Sequence, residues 1–258
     1  TAPNSILIDA TLDRDGSSAY TLGTDVHRFD VTDDTLTTGG VVFPHVIDHS
    51  HASETGALGQ IVYHRTQGTA DVVFYSFNDG TDGDVGAFDV GADGFRDNFM
   101  STVATSGVTL RNGVPHPLIV TTDDLLLIGD SFKVHAYKQS NNTFSANVLN
   151  LPTDMRVVGF VEPEDGFDTV VFCTNARGGT RRGRSNAYFW SIDRPVSWYK
   201  QSKIPDDECA APFAYKGTIG CFTRSRSAGG RSVLRIYEDG QWKPKYYFTG
   251  NLPGVGGV

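Results

Sequence analysis

Several features that would place this sequence in a familiar class are missing. No window approaches the roughly 18 consecutive apolar residues of a membrane-spanning helix, so we expect no membrane span. No charged start followed by an apolar run resembles a signal peptide. The three cysteines, Cys173, Cys209 and Cys221, are an odd count in a large domain. That count excludes the disulfide framework of a small secreted domain and favours buried free thiols.

The sequence also lacks an excess of positive charge. Its 30 acidic and 22 basic residues give a formal net charge of −8, which provides no overall attraction for nucleic acid or anionic lipid. Any such binding would be local. Methionine is scarce, with 2 residues, whereas there are 29 glycines, 11 prolines and 11% aromatic residues. This composition favours many short strands joined by turns over long helices.

An internal repeat is the strongest pattern in the sequence. A large apolar or aromatic residue recurs at intervals of 46 to 59 residues, at Phe29, Phe88, Tyr137, Trp190 and Ile236. Each is followed six to eight positions later by a second large apolar residue: Leu36, Phe95, Phe144, Trp198 and Trp242. Apolar segments typical of strands precede each copy, with Asp, Asn or Gly in the connections. Each repeat therefore predicts a four-stranded antiparallel sheet.

These repeats predict an all-β fold, a β-propeller in which four-stranded blades stack and share a core. Five blades are recognisable in a single domain spanning 1–258, at about 5–40, 58–99, 115–152, 156–205 and 209–253. No closing strand is evident in the final residues. Either five blades close the ring directly or, as we favour, the chain is a fragment of a larger propeller.

Charged residues cluster in the predicted connections between second and third strands. Two such connections are basic and one is acidic, so we predict that they bind a phosphate, nucleic acid, an acidic partner or a neighbouring copy of the chain. Flexible, solvated loops are the alternative. The predicted partner-binding residues are Arg177, Arg181, Arg182, Arg184, Arg224, Arg226, Arg231, Asp79, Asp82 and Asp84.

Two segments contain metal-binding residue types. His45, His49 and His51 lie close together, and imidazole ligands suit Zn²⁺, although solvated histidines in a loop fit the same pattern. The run from Asn78 to Asp84 alternates oxygen-bearing side chains with glycine as calcium loops do, but it lacks the later glutamate of an EF-hand. A polar hairpin connection is the interpretation that we favour. The sequence is compatible with a bound metal ion at either segment and predicts no other cofactor.

No arrangement typical of nucleophilic catalysis is present, so we predict that the chain is not an enzyme. Carboxylates suited to glycoside cleavage exist, but they fall in predicted hairpin turns, where aspartate is expected: Asp123, Asp124, Glu162 and Asp168.

An extracellular carbohydrate-binding or carbohydrate-cleaving propeller is the alternative function. Exposed aromatic rings would then stack on sugars, although the repeat register favours a place in the blade core: Trp190, Trp198, Tyr199 and Trp242.

The second half of the chain resembles blades of propeller-containing virion proteins from tailed bacteriophages. The resemblance covers about residues 115–253 and rests on 115–135, Trp190-Ser-Ile, Ile204-Pro-Asp-Asp, Lys216-Gly217 and 234–240. It implies a structural tail component, such as a nozzle, adaptor or tail-tip protein. The implied partners are other tail proteins and copies of itself in a ring, near DNA but without specific DNA binding. It also implies a virion location, or otherwise an extracellular one, and transfers no functional residue.

Overall fold

The computed structural model describes sixteen segments of the chain, and all structural statements below refer to them. They are residues 9–12, 18–22, 26–30, 41–45, 60–64, 71–78, 83–90, 94–96, 99, 108–114, 116–163, 169–175, 185–191, 199–205, 208–224 and 232–248. In the first sheet, only the side chains of Thr11 and Ala19 are described.

The described residues form five four-stranded antiparallel sheets, each a meander of consecutive strands. The first sheet contains β1 Asp9–Leu12, β2 Ser18–Leu22, β3 Val26–Asp30 and β4 Val41–His45. The second contains β5 Ile61–His64, β6 Val72–Asn78, β7 Gly83–Asp89 and β8 Gly94–Arg96. The third contains β9 Leu118–Val120, β10 Leu125–Asp130, β11 Lys133–Lys138 and β12 Thr143–Asn150, with a 3₁₀ turn at Gln139–Asn141.

The last two sheets follow the same order. The fourth contains β13 Met155–Val161, β14 Thr169–Asn175, β15 Ser185–Trp190 and β16 Lys200–Ile204. The fifth contains β17 Glu208–Tyr215, β18 Thr218–Arg224, β19 Ser232–Glu238 and β20 Gln241–Tyr247. Left-handed backbone at Asp124, Asn142, Lys216 and Asp239 closes short connections between strands. Asp and Asn tolerate this conformation better than most residues.

The predicted repeat register is confirmed. Phe29, Phe88, Tyr137, Trp190 and Ile236 lie on β3, β7, β11, β15 and β19, which are the third strands of the five sheets. The four whose side chains are described are buried. Because the repeat recurs strand for strand, each sheet is built from the same local pattern of apolar strands and turn residues.

The chain divides into two compact units, 1–128 with 136–146, and 129–135 with 147–258. In the first unit, β5 lies beside both β1 and β9. Both faces of β6 are buried, since Val72 and Phe74 pack in one apolar cluster whereas Val73 and Tyr75 pack in another. Alternate residues of a strand point to opposite faces, so the second sheet is covered on both sides.

In the second unit, β13 lies beside β17. Val170 and Phe172 of β14 pack in a cluster with Cys221 of β18 and Trp242 of β20. Four-stranded meanders whose first strands lie side by side, with a core shared between neighbouring sheets, characterise a β-propeller, and the all-β propeller prediction is confirmed. Within the described ranges, no helix has the length and apolarity that a membrane crossing requires.

Candidate functional site

The three charged connections occupy equivalent places in their sheets. They join β6 to β7, β14 to β15 and β18 to β19, each a second strand to a third. The predicted position of these connections is therefore confirmed. Most of the predicted binding residues within them lie outside the described residues: Asp79, Asp82, Arg177, Arg181, Arg182, Arg184, Arg226 and Arg231.

The two remaining predicted binding residues lie in the strands that flank their connections. Asp84 is the second residue of β7 and pairs with Phe77, and its carboxylate accepts a hydrogen bond from the Val85 N–H at 2.7 Å. Arg224 is the last residue of β18 and lies opposite both Glu208 and Ser232. Antiparallel pairing extends to these positions, so both side chains are half-buried at the base of their connections.

The predicted histidine cluster is only partly described. His45 ends β4 opposite Val26, and His49 and His51 lie outside the described residues. In the described segments, no group of three or more His, Cys, Asp or Glu side chains is arranged to hold a metal ion. A metal at this cluster stays a prediction.

A buried histidine and an aspartate form the polar site that the structure defines best. His64 ends β5 and is 0% exposed, and Asp124 lies in the turn between β9 and β10. The His64 Nε2 atom is 3.1 Å from Asp124 Oδ1, and the Asp124 side chain is 27% exposed. The sequence places His64 near the other histidines, but it gives no sign of this contact across 60 positions.

The Asp124 turn is fixed by its own hydrogen bonds. The Thr121 N–H donates to the Leu125 carbonyl at 2.8 Å, and the Asp124 N–H donates to the Thr121 carbonyl at 3.2 Å. Asp124 itself has a φ of 65°, a left-handed conformation that Asp and Asn adopt more readily than most residues. The turn therefore fixes the backbone position from which the Asp124 carboxylate approaches His64.

Burial determines the protonation of His64. Removal from water lowers the pKa of the ring below its ordinary value of 6.5, although the carboxylates of Asp124 and Asp71 and the nearby backbone of Asp124 and His64 favour the charged form. Neither ring nitrogen makes a well-directed hydrogen bond within the described residues. The ring is therefore held neutral near pH 7.

Other contacts of β5 and of the residue preceding it tie the second sheet to its neighbours in the same unit. The Gln60 side-chain oxygen accepts a hydrogen bond from the Leu118 N–H at 2.7 Å, and the Tyr63 N–H donates to Thr11 Oγ1 at 3.3 Å. The Tyr63 hydroxyl donates to Asp71 at 2.6 Å. The Gln60 side chain and the Tyr63 N–H thus connect the second sheet to the third and first sheets.

Two of the four aromatic rings considered for sugar stacking are in the core. Trp190 is 1% exposed and Trp242 is 7% exposed, and Trp242 packs edge-on against Phe172 at 5.7 Å. Tyr199 packs edge-on against the buried Tyr188 at 4.9 Å, and Trp198 lies outside the described residues. The carbohydrate alternative therefore loses Trp190 and Trp242 as stacking residues, because the repeat register directs them inward.

A different set of aromatic rings reaches the surface, on one face of the fifth sheet. Phe213, Phe222, Phe248 and Tyr246 form a row in which successive ring centroids are 5.8, 5.9 and 4.8 Å apart. We call these four rings the fifth-sheet row. Tyr246 is 58% exposed and the three phenylalanines are half-buried. Sequence reasoning missed this row because all four of its members lie outside the repeat anchors.

The candidate carboxylates lie in connections, as the sequence predicts. Asp123 and Asp124 are in the turn between β9 and β10, Glu162 follows β13, and Asp168 lies outside the described residues. No described serine or cysteine makes a hydrogen bond to His64, and neither of its ring nitrogens has a well-directed hydrogen-bond partner among the described side chains. The His64 and Asp124 pair can hold or exchange a proton, but it has no adjoining nucleophile among the described side chains.

No protein-family model and no curated protein matches this sequence. Solved structures do match it. A chain of the nidogen/laminin complex is similar with 12% identity and a TM-score of 0.57, over 95% of this chain and 81% of its own length. A puromycin-hydrolyzing peptidase from Mycobacterium tuberculosis is similar with 10% identity and a TM-score of 0.60, over 99% of this chain and 39% of its own length.

A lectin gives a third match. A variant of the Aleuria aurantia lectin, in complex with Fucα1-6GlcNAc, has 10% identity and a TM-score of 0.52, over 92% of this chain and 76% of its own length. These three proteins differ in what they bind or cleave, and none is described as a virion component. At such low identity, the likeness shows a common fold and carries no function to this chain.

The three cysteines are free and buried, which confirms the expectation from the sequence. Cys209 and Cys221 lie in the apolar cluster of the second unit. Burial raises the pKa of the Cys173 thiol well above its ordinary value, so this thiol stays protonated and unreactive in the folded protein.

Proposed function

We propose that this chain is a non-enzymatic structural component of a bacteriophage tail, such as a nozzle, adaptor or tail-tip protein. It acts as a rigid propeller scaffold that binds other tail proteins and copies of itself. The observation that carries the proposal is the equivalent position of the charged connections, each between the second and third strands of its sheet. A repeated frame with variable charged connections is suited to assembly.

The charges of the connections suit contacts between subunits. The segments 176–184 and 225–231 contain six arginines, whereas 79–82 contains two aspartates and no cation. Arginine forms paired hydrogen bonds with carboxylates, so a basic segment of one copy complements the acidic segment of another. In a closed ring, such a contact repeats between every pair of neighbours. This is the physical reason for proposing copies of the chain as partners.

The aromatic surface supports protein contact as the mode of action. Tyr246 of the fifth-sheet row is well exposed, and aromatic rings are enriched where proteins bind one another. The resemblance of residues 115–253 to phage propeller proteins supplies the tail as the setting, with a virion or otherwise extracellular location. We propose no catalytic step, because the best-defined polar pair, His64 and Asp124, is largely buried and lacks an adjoining described nucleophile.

Native mass spectrometry of the full chain at low and high salt tests the assembly. We expect a closed oligomer at low salt that dissociates as salt screens the contacts between basic and acidic connections. The double variant Arg181→Ser/Arg182→Ser should shift the protein to monomer. The matched control is Lys138→Ser/Lys203→Ser, which removes the same charge from two exposed strand positions and should leave the oligomer intact.

Electron microscopy with labelled antibody against the chain, applied to particles from the source, tests the location. We expect label at one position along the tail. A salt-independent monomer, together with particles that carry no label, would refute the proposal. An oligomer that forms without any particle would refute the tail setting and leave the scaffold role.

A further inference from the structure

The contact between His64 and Asp124 joins two sheets at a single buried histidine. The His64 ring packs edge-on against Phe74, with ring centroids 5.8 Å apart. Phe74 in turn contacts Phe99 and Tyr137 in the apolar cluster of the first unit. The ring therefore lies between the core and the Asp124 turn, where any change in its charge acts on both.

We propose that protonation of His64 loosens the packing of the second sheet on the third, so that the strength of this contact depends on pH. The contact is formed by His64 at the end of β5 and Asp124 in the turn that follows β9. It is independent of the tail function proposed above.

The geometry explains why the charged ring is unfavourable. His64 is 0% exposed, and neither ring nitrogen has a well-directed hydrogen-bond partner among the described residues. The neutral ring buries one N–H group, whereas the protonated ring buries two N–H groups and a charge. A buried donor without a partner and a desolvated charge both cost free energy. Opening the contact gives the charged ring access to water.

Among the described residues, the charged groups that face the ring are two carboxylates, which oppose this effect only in part. Asp124 approaches from the third sheet, and Asp71 lies just before β6, where it accepts a hydrogen bond from Tyr63. Both favour the protonated ring, but Asp124 is partly exposed and its oxygen is not well aligned with the imidazole. Burial remains the larger effect, so the folded chain binds the proton less readily than the unfolded chain does.

The direction of the pH effect follows from this difference. Burial holds the pKa of folded His64 below 6.5, the ordinary value that applies to the unfolded chain. The stabilisation of the closed contact is therefore complete above pH 6.5 and is lost as the pH falls toward the pKa of the folded form. Within that window, one proton taken up on opening raises the opening equilibrium by about tenfold per pH unit.

Amide hydrogen exchange of the full chain between pH 7.5 and 5.0, corrected for the intrinsic pH dependence of exchange, measures the opening. We expect peptides covering 60–64 and 118–125 to open increasingly below pH 6.5. His64→Gln should abolish this increase. The matched control His135→Gln, which changes another buried histidine in β11, should retain it.

Asp124→Asn sharpens the test. Asparagine keeps a carbonyl oxygen and accepts the left-handed backbone of this turn, but it removes the charge that favours protonated His64. The pH range over which opening depends on pH should then extend to lower pH.

If the variants do not fold, NMR titration of the histidine rings in the unmodified protein replaces them, with His64 expected to titrate below 6.5. Opening that is equally pH-dependent in His64→Gln, or a His64 ring titrating at or above 6.5, would overturn the proposal.

Discussion

Gly86 shows at the scale of one residue how closely strands approach in this fold. It lies on β7 directly opposite Tyr75 of β6. A Cβ atom at Gly86 would be 2.2 Å from Tyr75 Cζ, so the tyrosine ring occupies the space that a side chain at position 86 would need. Tyr75 is fully buried, which leaves its ring little freedom to move aside.

We expect Gly86→Ala to destabilise the protein by about 1–3 kcal/mol, because the methyl group overpacks the Tyr75 ring. Urea denaturation measures the loss. In a Tyr75→Leu background, the same substitution should cost clearly less. Gly240→Ala is the control for backbone strain. Gly240 has a φ of 76° and no neighbour within 4 Å, so a loss of stability at this position comes from backbone strain and not from crowding. An equal cost of Gly86→Ala in both backgrounds would contradict this explanation.

At the scale of the element, β20 shows how one strand serves both core and surface. Trp242 is 7% exposed, and its indole N–H donates to Ser202 Oγ on β16 at 3.2 Å. Tyr246 and Tyr247 on the same strand are each 58% exposed. The strand therefore joins the fourth and fifth sheets near its beginning and faces solvent near its end.

We expect Trp242→Ala to destabilise the protein by about 3–5 kcal/mol, because it removes a large buried ring and its contact with Phe172. Ser202→Ala removes only the hydrogen bond and should cost about 1 kcal/mol. The control Tyr247→Ala should change stability by no more than about 0.5 kcal/mol. Thermal or urea unfolding gives these values. Equal losses of stability for Trp242→Ala and Tyr247→Ala would show that burial does not determine how much a side chain contributes to the stability of the fold.

At the scale of the whole molecule, charge limits which partners bind without local recognition. The net charge of −8 and an isoelectric point near 5.3 repel polyanions at neutral pH. The arginine-rich connections are local exceptions whose positions repeat between sheets.

We therefore expect no binding to duplex DNA at physiological salt in a gel-shift measurement, because overall repulsion exceeds the attraction of two short basic segments. At low salt, any weak binding should disappear in Arg181→Ser/Arg182→Ser and persist in Lys138→Ser/Lys203→Ser. Sequence-specific binding at physiological salt would contradict the expectation.

The sequence by itself determined the strands and their order. Apolar segments, turn residues and the recurring anchors act over a few positions, so Phe88, Tyr137 and Trp190 could be assigned to third strands without a structure. The position of the charged connections followed from the same pattern. Local propensity was enough, because each sheet is a meander of neighbouring strands.

Only the tertiary structure decided which side chains meet. His64 and Asp124 are 60 positions apart, and their contact depends on how one sheet packs beside the next. Packing also determines that Trp242 is buried while Tyr246 is exposed. Hydrogen bonding between β6 and β7 places Asp84 inside β7. These outcomes depend on contacts between distant segments, which a pattern along the chain does not specify.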